Sequence, residues 1–106
     1  MKNTITLQTA QDWAERWKST QESGSTPNFT AFLIPGIDFT QALKPEEAVD
    51  VRTYLGIDDT ETVRLMIVGV DREGNDLIDE SNGYYIYDFT SICPPYCNKK
   101  PPFISQ

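Results

Sequence analysis

The first part of the chain predicts an amphipathic helix over residues 10–21, with Thr9 as its N-cap. A short strand over residues 5–7 is predicted before it. Four apolar residues recur at helical spacing and share one face of this helix: Ala10, Trp13, Ala14 and Trp17. Aromatic residues four apart on a helix are typical of a core, so both tryptophans are expected to pack on a sheet.

Apolar and polar residues alternate over residues 49–57, which predicts a strand with one face toward water. Residues 63–70 are apolar on both faces apart from Arg64, which is typical of a central strand. Residues 58–60 between them carry turn residues, so the two strands are predicted to form a hairpin.

Further strands are predicted over residues 29–34 and 84–89, with a short helix over residues 37–43. Together these elements predict an α+β domain over residues 1–90, in which a mostly antiparallel sheet of about four or five strands carries one main helix on one face. Residues 91–106 hold four of the seven prolines and are predicted to form a tail.

Composition narrows the possible partners. A chain of 106 residues with two Trp, five Tyr and five Phe has enough apolar mass for one folded domain. Its formal net charge of −7 repels phosphate backbones and anionic lipid, which argues against nucleic acid and membranes as partners. A basic protein surface or a cation fits this charge, which also serves solubility.

Catalytic and targeting signals are not found in the sequence. Without histidine there is no Ser-His-Asp or Cys-His arrangement, and the six glycines stand singly rather than in a phosphate loop. We therefore predict no catalytic residues and no bound cofactor. The first residues lack the apolar run of a signal peptide, so a cytoplasmic location is expected.

The segment 71–82 resembles the calcium loop of EF-hand proteins. It spaces oxygen-bearing side chains as that loop does, and the candidate metal ligands are Asp71, Glu73, Asn75 and Asp79. Asp76 stands where the family has a turn glycine, and Asn82 where it has a bidentate Glu. The resemblance implies at most weak calcium binding.

The same segment has a simpler interpretation as two turns. A tight turn over residues 72–75 would join the central strand to a short strand at residues 77–78, and a second turn would follow at residues 81–83. In that case the acidic side chains are hydrogen-bonded within the turns or solvated by water, and they do not bind a cation.

Two cysteines, Cys93 and Cys97, flank two prolines and a tyrosine. Their spacing differs from the Cys-x-x-Cys of redox and zinc sites. Three interpretations remain open for this pair: free thiols, a disulfide closing a five-residue loop, or ligands of a shared metal.

Tyr84, Tyr85 and Tyr87 fall on both faces of their predicted strand, so at least one ring is expected to be exposed and able to anchor an interface. Residues 65–71 and 82–89, with the Cys-Pro that follows, resemble small uncharacterised bacterial proteins, a resemblance that implies no activity. We expect a non-enzymatic interaction module with a protein partner or self-association. The alternative is a calcium-binding protein that uses the loop 71–82.

Overall fold

An antiparallel sheet with helices against it makes up the part of the chain that this computed structural model describes, residues 3–24 and 31–93. The elements in chain order are β1 (Thr4–Ile5), α1 (Leu7–Glu22), β2 (Ala31–Leu33), α2 (Gly36–Ala42), β3 (Asp50–Ile57), β4 (Val63–Val70), β5 (Asp76–Leu77), a 3₁₀ helix (Glu80–Asn82), β6 (Ile86–Tyr87) and β7 (Ser91–Cys93). The predicted α+β class is confirmed. Neither of the described helices combines the length and the apolar character needed to cross a membrane.

The larger sheet has the order β1-β6-β4-β3, and β5 also pairs with β4. β3 and β4 form the predicted hairpin, which runs from Asp50 opposite Val70 to Ile57 opposite Val63. All of these pairs are antiparallel, and β2 and β7 form a separate two-stranded sheet. The prediction of a central strand over residues 63–70 is therefore confirmed.

β4 is buried on both faces, because successive side chains of a strand point to opposite sides of the sheet. Met66 and Val68 face α1, whereas Ile67 between them faces α2. The cluster on the first face contains Ala10, Trp13, Met66, Val68 and Ile86. The cluster on the second face contains Ala42, Ile67 and Tyr87. The fold thus has two small cores that share one strand.

Two glycines let the helices come close to the sheet. A Cβ atom added at Gly69 would lie 2.5 Å from the backbone oxygen of Ala42 in α2. One added at Gly56 would lie 2.7 Å from the Cβ atom of Trp13 in α1. Both distances are shorter than real Cβ atoms tolerate, so each helix packs at its observed depth only over a residue without a side chain.

A buried carboxylate in α2 links three parts of the chain. Asp38 has no exposed surface, and it accepts hydrogen bonds of 2.8 Å from the Asn3 side-chain amide and from the backbone N–H of Phe89. The same Asn3 amide donates to the side-chain oxygen of Gln41 at 2.7 Å. These bonds hold the start of β1, helix α2 and the segment after β6 together, and they satisfy a group that is costly to bury unpaired.

The start of α1 differs from the prediction. The helix begins at Leu7, and its N-cap is Thr6, whose hydroxyl oxygen accepts the backbone N–H of Thr9. The predicted strand over residues 5–7 correspondingly ends at Ile5. Leu7 stands three residues before Ala10 and fits the apolar spacing of the helix, but the strand predicted over residues 5–7 includes it.

The burial of the two tryptophans also differs from the expectation. Trp13 is buried in the α1 core, but Trp17 is only half-buried. α1 crosses the sheet above β3, and Arg16 in its second half already reaches the end of that strand. The core face predicted from helical spacing is therefore fully covered only in the first part of the helix.

The last strands also differ from the prediction. Within residues 84–89, only Ile86–Tyr87 forms a strand. Ser91–Cys93, predicted as the start of a tail, pairs with β2, and Cys93 lies opposite Ala31. That pairing joins segments about sixty residues apart, which no local pattern reveals. Residues 94–106 of the predicted tail lie outside the described residues, as do residues 29–30 of the strand predicted over residues 29–34.

The turn between β3 and β4 is organised by Asp58. Its carboxylate accepts the backbone N–H groups of Thr60 at 2.9 Å and Thr62 at 3.0 Å, and the Nε atom of Arg64 at 2.9 Å. Burial raises the pKa of this carboxyl, but the bonds from Arg64, Thr60 and Thr62 outweigh burial and lower the pKa to about 2.

Replacement of Gly69 should destabilise the protein. We expect Gly69→Ala to lower the free energy of unfolding by about 1–3 kcal/mol, because α2 must move away from the sheet. Gly36→Ala is the matched control, since a Cβ atom there meets nothing within 4 Å and alanine favours the helix. Urea unfolding measures both variants. Equal midpoints for the two would show that α2 does not pack as closely as described.

The Asp58 turn should make stability depend on pH in the acid range. The folded-state pKa of Asp58, about 2, lies below the ordinary value of 3.8. The ionised carboxylate therefore stabilises the folded protein above pH 3.8, and this stabilisation is lost as the pH falls toward 2. At neutral pH, Asp58→Asn should cost about 2 kcal/mol of unfolding free energy, and the difference from wild type should shrink below pH 4.

Asp59→Asn is the control for that measurement. The Asp59 side chain is 83% exposed and forms a surface ion pair with Arg16, so its loss should cost under about 1 kcal/mol. An unfolding free energy of Asp58→Asn that parallels wild type from pH 7 to pH 2 would contradict the assignment.

Candidate functional site

A cleft of about 630 Å³ lies between the end of α2, the loop that follows it and the chain around the start of β6. Polar and aromatic side chains line it together, among them Lys44, Glu47, Asn82, Tyr84, Tyr85 and Tyr87. We refer to it as the tyrosine cleft. It combines aromatic walls with a few polar groups, as binding pockets commonly do.

The chain before β6 places Tyr84 at the cleft. The Asp79 carboxylate caps the 3₁₀ helix by accepting the backbone N–H of Ser81, and Gly83 ends that helix with a φ of 81°. Asp79 and Tyr84 then exchange two backbone hydrogen bonds of 3.0 Å. Tyr84 is therefore held by its own backbone and not only by packing of its ring.

Tyr85 and Tyr87 form one wall, because alternation in the strand sends Ile86 to the α1 core and these two rings to the α2 side. Their ring centroids lie 6.4 Å apart in an edge-to-face arrangement. The Tyr87 hydroxyl donates to the backbone oxygen of Gln41 at 3.5 Å, and burial raises the pKa of Tyr87. The prediction that at least one of the three tyrosines is exposed is wrong: Tyr84 and Tyr85 are half-buried and Tyr87 is buried.

Carboxylates act on the hydroxyl of Tyr84. The Glu47 side chain beside it raises the pKa of Tyr84, and the charges of Asp79 and Asp71 raise it further. Lys44 contributes a positive charge to the same lining. Lys44 and Glu47 carry opposite charges within the lining, so the negative charge in excess near Tyr84 comes from Asp71 and Asp79, next to aromatic surface that can attract a cationic group.

Asp71, the first predicted metal ligand, closes the turn between β4 and β5. One of its carboxylate oxygens accepts the backbone N–H groups of Glu73 and Asn75, each at 2.9 Å. The bonds from Asn75 and Glu73 lower the pKa of Asp71. Gly74, with a φ of 87°, donates its N–H to the backbone oxygen of Asp71 and completes the turn.

Asp79, the last predicted ligand, closes the second turn. One carboxylate oxygen accepts the Ser81 hydroxyl at 2.7 Å, and the other accepts the Asn82 amide at 2.6 Å. The bonds from Ser81 and Asn82 lower the pKa of Asp79. The two predicted turns are thus present, and the strand that joins them, Asp76–Leu77, begins one residue earlier than predicted.

The four predicted ligands are divided between these two turns. Asp71, Glu73 and Asn75 belong to the turn before β5, and Asp79 lies after β5. Within residues 3–24 and 31–93, no three Asp, Glu or Cys side chains are grouped closely enough to hold a metal ion. Calcium binding by this loop therefore remains a prediction from sequence.

Asp76, at the position where an EF-hand has glycine, has a different role. Its carboxylate accepts hydrogen bonds from the guanidinium of Arg52 and the hydroxyl of Tyr54, both on β3. The hydrogen bond to Asp76 raises the pKa of Tyr54. The cluster ties β3 to β5 across β4 and compensates the charge of Arg52.

Cys93 ends β7, where it is 2% exposed and disulfide-bonded. Cys97, its predicted partner, lies outside the described residues. Cys93 is therefore part of a packed strand and not of a peripheral tail.

Comparison of the chain with models of protein families, with curated proteins and with solved structures found no match.

Calcium should leave the thermal stability of the protein unchanged. The Asp71 and Asp79 oxygens already accept hydrogen bonds within their own turns, so a cation must compete with those bonds. We expect the melting temperature to stay the same when millimolar calcium is added. Asp71→Asn, measured in the same way, is the control for binding at the loop. A rise in melting temperature that is lost in Asp71→Asn would establish the calcium site instead.

Proposed function

We propose that the protein is a non-enzymatic interaction module whose tyrosine cleft binds a basic segment of a protein partner. The observation that supports this function best is that the carboxylate of Glu47 lines the same cleft as Tyr84 and Tyr85, close enough to the Tyr84 hydroxyl to raise its pKa.

A lysine or arginine side chain matches the groups in this cleft. Its charge is attracted by the carboxylate of Glu47, and its alkyl stem can lie along the half-buried rings of Tyr84 and Tyr85. Arginine fits better than lysine, because its planar guanidinium group donates two hydrogen bonds to a carboxylate and stacks on an aromatic ring.

Charge also determines which partners the proposal leaves out. With a net charge of −7, the protein repels nucleic acid, anionic lipid and, at long range, a second copy of itself. Binding of a basic partner should accordingly weaken as salt screens the attraction.

The location of the module is part of the proposal. A cytoplasmic location is expected from the sequence, whereas disulfides such as that of Cys93 are rare in the cytosol and persist in oxidising compartments. Alkylation of thiols in denatured protein taken directly from its native cell separates the two cases, because a cytoplasmic protein would carry Cys93 as a free thiol.

Removal of the cleft carboxylate should weaken partner binding. We expect Glu47→Gln to raise the Kd for the principal protein captured from native cells by about tenfold or more, since a hydrogen bond to a charged group contributes about 1.5–3 kcal/mol. Tyr84→Phe should weaken binding less, because it removes the hydroxyl and keeps the ring.

Glu15→Gln on α1 is the matched control, since it makes the same charge change at an exposed residue of the helix on the opposite face of the sheet. Titration calorimetry with the purified partner at low and high salt measures all three variants. A Kd unchanged in Glu47→Gln would contradict the proposal, and an equal loss in Glu15→Gln would reduce it to an effect of net charge.

A further inference from the structure

The larger sheet has two edges of unequal length. β1 at one edge has two residues, whereas β3 at the other edge has eight. Among residues 3–24 and 31–93, β3 pairs with β4 alone. An edge strand of this length presents a row of backbone groups to which another strand can add.

The ladder shows which backbone groups of β3 point outward. Leu65 lies opposite Leu55, and both of its backbone groups bind the hydroxyl of Thr90 on the far side of β4, at 3.3 and 2.9 Å. The Leu55–Leu65 pair is therefore not hydrogen-bonded. Hydrogen-bonded and non-hydrogen-bonded pairs alternate along an antiparallel ladder. The backbone N–H and C=O groups of Val51, Thr53 and Leu55 therefore all point away from β4.

The turn end of the hairpin agrees with this assignment. Asp58 donates its backbone N–H to the oxygen of Thr62 at 3.0 Å, so the hydrogen-bonded pairs fall on the even-numbered residues of β3. Ile57, an odd-numbered residue, directs its carbonyl oxygen outward, where the guanidinium of Arg16 donates to it at 3.3 Å. α1 thus covers the last residue of the edge.

The N–H and C=O groups of Val51, Thr53 and Leu55 have no such cover in the part of the chain that the structure describes. Proteins commonly protect an open edge with proline, lysine or a bulge. Residues 50–57 contain neither proline nor lysine, and Arg52 is held by Asp76. The exposed side chain of Thr53 leaves the middle of the edge accessible.

We propose that β3 accepts an extended segment of a partner protein as an additional strand beside Val51, Thr53 and Leu55, and that this segment alternates apolar and basic residues. The added strand would make main-chain hydrogen bonds with all three residues. Its basic character rests on the proposed function, whereas the addition of a strand does not.

The surroundings of β3 determine this choice of occupant. On the α2 side, an added strand would lie next to the half-buried side chains of Val51 and Leu55, which favour apolar neighbours. Exposed carboxylates stand at the first residue of β3 and beyond its two ends: Glu46, Asp50, Asp59 and Glu61. A second copy of the chain would bring another net charge of −7 to the same edge, so a basic segment fits better.

Amide hydrogen exchange of the full chain tests the inference directly. In the protein alone, the amides of Val51, Thr53 and Leu55 should exchange fast, and those of Arg52 and Tyr54 slowly. The probe is a capped octapeptide in which lysine alternates with valine, and its glutamate-for-lysine counterpart is the control. The lysine peptide should slow the three fast amides by about tenfold or more, and the glutamate peptide should not.

Substitutions at Thr53 separate the backbone from the charge. Thr53→Pro removes one outward N–H without breaking the β3–β4 ladder, so it should abolish the protection at Val51 and Leu55. Two further variants keep the test possible if the proline variant does not fold. Thr53→Lys should weaken binding of the lysine peptide, and Thr53→Glu should strengthen it.

Three outcomes would overturn the inference. One is slow exchange at all three amides in monomeric protein alone, and a second is their protection in a dimer that sedimentation detects without peptide. The third is peptide protection elsewhere on the chain with none at β3. Glu47→Gln distinguishes this inference from the proposed function. If the peptide still protects β3 in that variant and the affinity for the partner is also unchanged, strand addition is supported and binding in the cleft is rejected.

Discussion

The burial of β4 on both faces is the constraint on which the rest of the structure depends. A strand with one core against Met66 and Val68 and another against Ile67 requires a helix on each side. At 106 residues the chain can complete these layers only if the helices come very close to the sheet. Gly69 and Gly56 allow that approach, because any side chain there would collide with α2 or α1. The buried carboxylate of Asp38 then joins α2 to the start of β1 and to the segment after β6.

This arrangement also determines where partners can bind. With β4 at the centre, its hairpin neighbour β3 is left at the edge, and the loop from α2 back to β3 forms one side of the tyrosine cleft. The acidic residues fall into two groups as a result. Asp58, Asp71 and Asp79 accept hydrogen bonds from their own turns, whereas Glu47 lines the cleft and raises the pKa of Tyr84 there. Net charge alone does not distinguish these groups.

The loop 71–82 shows how far the spacing of oxygen-bearing side chains can predict a calcium site. Oxygen atoms at alternating positions suit a calcium ion, but they suit the N–H groups of a tight turn equally well. Asp71 and Asp79 each close a turn in the structure, and Asp76 between them binds Arg52 and Tyr54 on another strand. The sequence does indicate both turns, through Gly74 and Gly83. It gives no sign of the contact with β3, because Arg52 is 24 residues away.

The sequence by itself determined the local elements: the β3–β4 hairpin, the central position of residues 63–70, the helices and the α+β class. Each of these follows from periodicity or turn residues within a short window. Only the tertiary structure decided that Ser91–Cys93 pairs with β2 and that the tyrosines line a cleft with Glu47. It also decided that, among residues 3–24 and 31–93, no second strand pairs with the outward edge of β3. Those features depend on contacts between distant segments, and the burial that selects such contacts is a property of the packed chain and not of any one stretch of it.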